Sequence, residues 1–372
     1  MAFRSGLMDN RASFIVAGTS HSEWLSMPGI SVSAVIPTRN RPVSLHRTLM
    51  ALERQQFRLD EVIVLDASDS PPDASTFATA YPALKLAHFR AAPSVCAQRN
   101  EGIRRARGTH VLLLDDDVEA PPDYLLRLVA AIEQNPSIGA VTGVWSEPNT
   151  TGQFTDTFLV PSFRSLLISF IAQRGVWGDI EAVSSNAITR VPLALLKRWY
   201  RRRGNTWSLA GWPLLTQVRA PVERTAIYTL GSALVRRDWL LASPYDERLS
   251  AHGIGDNYGV ALGFPGERAI TLLTDLTVRH HKEQENRLDR TRAYYQRVLA
   301  LHYFMRRSSR FSRVNHAFLV WSLLFAAAEF GVRGRANSFR AAVRALRDVA
   351  GGRNPLFADA EPAGPARPEP IQ

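Results

Sequence analysis

One cysteine in 372 residues, Cys96, excludes an intrachain disulfide and any cysteine-held metal cluster, and fits a reducing compartment. Long uninterrupted apolar runs are also missing. Phe14–Gly18 is too short for the apolar core of a signal peptide, and the patch from Phe158 to Ile171 is broken by Pro161 and Arg164. Val314–Ala328 is free of charge for only fifteen residues, where a span needs about twenty. No internal repeat is visible. Glycine is absent from Pro37–Pro42, the loop after the first apolar strand. That argues against the Gly-rich phosphate loop of a sugar-phosphate nucleotidyltransferase and against the dinucleotide fingerprint of an oxidoreductase.

The composition, 45% hydrophobic and 21% charged, is that of a globular chain long enough for two domains or one elaborated domain. Its net charge of +11 is unevenly placed. Lys282–Arg353 holds fifteen basic residues against five acidic ones, a net of +10, and the remainder, thirty against twenty-nine, carries +1. A locally basic segment attracts a polyanion, either an anionic membrane surface or nucleic acid.

The densest chemical signal is His110–Asp117, an apolar strand that runs straight into three carboxylates. An unpaired carboxylate is costly to bury, so the acids must meet solvent or a cation at the strand's end. In open α/β sheets that end borders the ligand crevice. Hard divalent cations take one or two carboxylates together with substrate phosphates. The pattern reads as a metal–diphosphate site or as a solvated acidic turn.

Around it, strands are expected at 31–36, 61–65, 84–89, 111–114 and 138–145, with helices at 42–52, 94–107 and 122–134. Such alternation predicts a doubly wound α/β sheet. Residues 146–223 read as irregular and aromatic-rich. Strand character resumes over Thr225–Val235, a helix is expected over Gly255–Leu262, and a strand over Ile270–Val278 delivers His280 and His281. Residues 288–307 form a further helix. Beyond it, Phe339, Val343, Leu346 and Ala350 share one helix face beside Arg340, Arg344 and Arg347, the pattern of an interfacial amphipathic helix or of a cap on the main domain. The expected divisions are a loose leader (1–30), a catalytic unit (31–282, divided at 145/146), a basic helical extension (283–353) and a disordered tail (354–372).

Four pieces in order, Val35–Asn40, Val62–Asp66, Ala97–Gly102 and Leu113–Asp117, resemble the family 2 glycosyltransferases, particularly bacterial polysaccharide-biosynthesis members. Gly231–Arg237, Tyr245–Glu247 and Tyr294–Tyr295 extend the likeness more loosely. The resemblance implies a GT-A-like doubly wound mixed sheet, with a Rossmann-like nucleotide half, an acceptor half and the C-terminal helical extension. It implies an inverting enzyme that uses Mn²⁺ or Mg²⁺ to move a sugar from a nucleotide-sugar donor to a hydroxyl of a glycan or lipid-linked acceptor. The setting it implies is cell-surface polysaccharide biosynthesis, at the cytoplasmic face of the membrane, with nucleic acid not expected as a partner. Pro37, Thr38, Arg39, Asp66, Arg99, Asp115 and Asp116 would then contact the donor, and Asp117 the metal. Asp256 matches the acid that acts as general base, although Gly255 stands where Glu is usual and Tyr258 where a further acid is common. Either His280 or His281 matches the family's late metal-binding histidine. A catalytically inactive binding protein of the same fold is the alternative that Gly255 keeps open.

Overall fold

The computed structural model describes residues 29–358 apart from 73, 284 and 286. The leader (1–28) and the end of the tail (359–372) lie outside the described residues. The first half alternates as expected: β1 (Val32–Thr38), α1 (Pro42–Glu53), β2 (Glu61–Asp66), α2 (Ala74–Ala80), β3 (Leu86–Arg90), α3 (Val95–Arg105) and β4 (His110–Leu113). β1 lies between β2 and β4 with all three parallel, and β3 continues parallel beyond β2. Every residue of β1 is buried, which is why its sequence runs apolar without alternation.

β5 (Val118–Glu119), α4 (Tyr124–Gln134), β6 (Ala140–Pro148) and β7 (Phe154–Asp156) follow. The section read as irregular is in fact ordered: α5 (Phe163–Ile171), β8 (Val176–Trp177), α6 (Arg190–Arg203) and β9 (Leu214–Leu215) enclose a small core of Leu166, Ile180, Leu193, Tyr200 and Leu214. Pro161 does not break α5. It precedes the helix, whose cap Ser162 accepts from Ser165 N at 3.1 Å. Two-residue strands carry no periodicity, so β8 and β9 leave no mark in the sequence.

The strand expected over Thr225–Val235 is two, β10 (Val222–Thr225) and β11 (Leu234–Arg236), on different parts of the sheet. Ile227 and Tyr228, between them, line the cleft described below. The chain closes with α7 (Arg237–Ala242), α8 (Asp256–Gly263), β12 (Ile270–His280), α9 (Arg290–Arg307), α10 (Arg313–Val332) and α11 (Ala336–Ala350). The main sheet runs β10-β12-β6-β11-β4-β1-β2-β3, with β5 and β7 attached to β12 and β6. β11 is antiparallel to both β4 and β6, so the sheet is mixed. β12 runs parallel to β6, but its register slips between Leu273 and Thr277.

α10 is twenty residues, longer than its charge-free run, and is the one helix among the described residues that is long and apolar enough to cross a membrane. Its inner face packs on the domain through Leu319, Leu323, Ala326 and Ala327. α11 packs through the small residues Ala342, Ala345 and Val349, not through the Phe339/Val343 face that its sequence suggests. Residues 354–358 depart from the expected disorder. Asn354 caps a 3₁₀ turn at Pro355–Phe357 and donates through Nδ2 to Leu299 O (2.8 Å), which ties the turn to α9.

Candidate active site

The carboxyl ends of β1 and β4 open into a cleft of about 690 Å³, within the size range of small-molecule sites. Pro37, Thr38, Arg39, Arg99 and the acid triplet line it together with Trp145, Trp177, Trp212, Tyr228 and Asp256.

The three acids have different environments. Asp115 N donates to Gly231 O (2.9 Å), and Asp115 Oδ1 takes the Arg99 guanidinium at 2.5 Å. A Cβ on Gly231 would lie 2.4 Å from Asp115 Oδ2, so only glycine leaves that carboxylate its place. Asp116, expected at the donor, is instead held from within. It accepts from Thr38 Oγ1 (2.7 Å) and Arg41 (3.0 Å), while its carbonyl accepts from Ser44 (2.8 Å) and Thr48 (2.9 Å) of α1. Burial pushes this carboxyl up to about 6, with Asp117 adding to the rise and Arg41 only partly opposing it.

Asp117 is also buried, yet it is held below the usual carboxylate range. Burial raises it, but the His280 contact (3.4 Å), Arg41 (3.7 Å) and Arg287 (3.5 Å) outweigh that. Glu283 N donates to it as well, at 3.2 Å. His280 stands between two acids, with Nε2 toward Asp117 and Nδ1 3.0 Å from Glu147. Burial lowers its pKa, and the bonds to Asp117 and Glu147 more than offset this, raising it to about 9.

His281 does not join this pair. Its Nε2 lies 2.9 Å from Glu119, because consecutive residues at a strand end point to opposite faces. Among the described residues no group of three or more His, Cys, Asp or Glu is arranged to hold an ion. Asp117 and His280 form a two-donor set, a buried carboxylate beside an imidazole. That set fits a divalent cation that displaces the His280 ring proton and completes its shell with diphosphate oxygens and water.

Arg99 takes a place the sequence did not foresee. Instead of reaching freely for a donor, its guanidinium bridges Asp115 and Asp256 and lies over the Tyr245 ring, 5.1 Å from its centroid. Asp256 begins α8 and accepts from Asn257 N at 2.7 Å. Burial raises its pKa, against the pull of Arg99. Gly255 adopts φ +91°, and a Cβ there would meet Ala300 Cβ at 2.6 Å. The residue is glycine because α9 passes too close for a side chain.

Asp66 does not line the cleft. It sits one strand over, paired with Thr38 in register, and its carboxylate is occupied by His88 Nε2 (3.0 Å) and Ser68 N (2.8 Å). Pro37, Thr38 and Arg39 do line it, with Arg39 also 3.4 Å from Asp69. Arg41, Arg287 and Glu147 were missed by sequence reasoning. For Arg41 the signal was there, in the second arginine of Thr-Arg-Asn-Arg-Pro.

Residues 33–190 match the family described as Glycosyl transferase family 2. Over that stretch the chain is similar to this family. The chain shares the GT-A fold of S. aureus TarS 1-349, solved in complex with UDP-GlcNAc: TM-score 0.51, 13% identity, 88% of this chain and 89% of that one. The match to the longer TarS structure spans 44% of that protein. Other similar structures are GalNAc-T7 with UDP, GalNAc and Mn²⁺ (TM-score 0.49, 17% identity, 88% of this chain, 58% of that one) and the mannosyltransferase PcManGT from Pyrobaculum calidifontis with GDP-Man and Mn²⁺ (0.47, 18%, 91% and 86%). No curated protein matches the chain in sequence.

Proposed function

We propose that this glycosyltransferase is an inverting, metal-dependent enzyme that moves a sugar from a nucleotide-sugar to a hydroxyl of a glycan or lipid-linked acceptor in cell-surface polysaccharide biosynthesis. The observation that carries the reading is the division of acids within one cleft. The buried Asp117 is paired with His280, and Asp256 lies across Arg99 from Asp115.

In this scheme Asp256 takes the proton of the acceptor hydroxyl as that oxygen attacks the anomeric carbon and the bond to the diphosphate breaks on the opposite face. A single displacement of this kind inverts the centre. A carboxylate raised by burial is a better base near neutral pH than one at its ordinary value. Arg99 orients Asp256 and carries part of its charge. Asp117 and His280 would hold a cation, which supplies Lewis-acid stabilisation of the departing diphosphate. Arg41 and Arg287, close to Asp117, add fixed positive charge on that side.

The test is titration calorimetry of nucleoside diphosphates with and without Mn²⁺, on the wild type and Asp117→Ala. Binding that needs Mn²⁺ and disappears in the variant supports the assignment. Equal affinity in the two proteins refutes it.

A further inference from the structure

A second feature lies on the far side of the cleft wall. The outward residues of α10 recur at three- and four-residue spacing: Val314, Ala317, Trp321, Leu324, Ala328 and Gly331 are all exposed and none is polar. Val314 is 60% exposed, Trp321 45% and Leu324 48%. A stripe of this kind runs about 25 Å along a helix. A single exposed leucine needs no explanation, but a contiguous apolar band rimmed by charge marks an interaction surface.

The band extends beyond α10 on both sides. Trp321 Nε1 donates to Ile171 O (2.7 Å), which sets the exposed Ile171 of α5 against it. The half-exposed Phe339 of α11 packs against Gly331. The rim is cationic. Arg313, Arg333, Arg335, Arg340, Arg344 and Arg347 are exposed along α10 and α11 and at the turn between them. The two acids of these helices are largely covered and already paired, Glu329 with Arg174 and Arg333, Asp348 with Tyr295 and Arg344.

We infer that the outer face of α10, with Ile171 and Phe339 at its edges, lies flat in the headgroup region of an anionic lipid bilayer. Apolar side chains enter the acyl boundary while the arginines meet lipid phosphates, the arrangement of an interfacial helix. α10 does not span, because its inner face is committed to the protein. Trp212, on the cleft wall, donates through Nε1 to Ser322 of that inner face (3.1 Å), and Asn315 Nδ2 donates to Leu209 O (2.9 Å). The same contact places the bilayer one helix away from the acceptor side of the cleft. This bears on the proposed lipid-linked acceptor, while the docking itself stands on the surface alone.

The experiment is flotation of the full chain with vesicles of phosphatidylcholine alone or with 30% phosphatidylglycerol, for the wild type and for the double variant Val314→Glu, Leu324→Glu. Both positions are exposed, so the variant retains the fold, which its circular dichroism and thermal midpoint check. Wild-type protein is expected to float with phosphatidylglycerol vesicles only, and the double variant to lose at least tenfold in bound fraction. Nucleoside diphosphate titration of the same variant separates this result from the fate of the active-site proposal, since neither residue touches the cleft. Equal flotation of the two proteins, or no flotation of either, overturns the inference. So does a wild-type dimer in sedimentation velocity that the double variant abolishes without any vesicle binding, since the face would then belong to a second copy.

Discussion

Arg99 is the residue on which the two sides of the cleft meet. Its fork carries Asp115 with one nitrogen and Asp256 with another, so carboxylates from β4's end and from the start of α8 share a buried cation. Burial lowers its pKa, and the two carboxylates more than reverse that, keeping it charged throughout. Asp256→Asn keeps the shape and an acceptor for Arg99 but removes the basic oxygen. Turnover is expected to fall by about 100-fold or more with nucleotide affinity unchanged. Full activity in that variant would assign the base elsewhere. Asp115, Asp117 and Asp256 were legible in the sequence because each ends a strand or opens a helix within an ordered set of motifs. The commitments of Asp66 to His88 and of Asp116 to Thr38 and Arg41 were not, since those partners lie 22 to 78 residues away and meet only through the sheet.

At the scale of elements, the junction of α8 with α9 explains why position 255 is glycine. The left-handed turn at Gly255 and the approach of Ala300 leave no room for any side chain. Gly255→Ala is therefore expected to lose roughly 1–3 kcal/mol of stability, measured by urea unfolding; a loss below about 0.5 kcal/mol, the range of ordinary surface changes, would show that α9 yields. The parallel half of the fold was readable because its strands are covered on both faces and run apolar. The stretch 146–223 was not, because the strands that lie within it are only two or three residues long and its core closes on itself. The motif pieces at Asn100 and Tyr245–Glu247 turn out to be one structure. Asn100 Nδ2 donates to Tyr245 O (2.9 Å) and Glu247 Oε1 (2.8 Å), and Tyr245 N donates back to Asn100 Oδ1 (2.9 Å).

For the molecule as a whole, the C-terminal helices are fastened by a histidine that must remain neutral. His302 of α9 stands against His316 of α10 and Phe357 of the final turn. Asn354 Nδ2 lies 3.2 Å from its Nδ1, which serves as acceptor only when unprotonated. Burial, then His316 and Arg306, lowers its pKa to about 4 from 6.5. In the unfolded chain it binds a proton below about 6.5, so its contribution to stability is complete above that pH and drains away between 6.5 and 4. The loss is on the order of 2–3 kcal/mol. Denaturant midpoints at pH 8 and pH 4.5 should therefore converge in His302→Gln relative to the wild type; an unchanged difference between the two pH values would assign the acid sensitivity to other groups.

The slip in β12 between Leu273 and Thr277 has a consequence for which imidazole faces Asp117. The strand pairs with β6 on both sides of it, and beyond it His280 also pairs with Val118 of β5, which fixes the parity there. The three residues in between are held in their own right: Thr274 donates to Pro221 O and Ala220 O, Asp275 pairs with Arg127, and Leu276 is buried. The extra residues thus form a braced bulge, and the inward aim of His280 is set beyond it by two neighbouring strands.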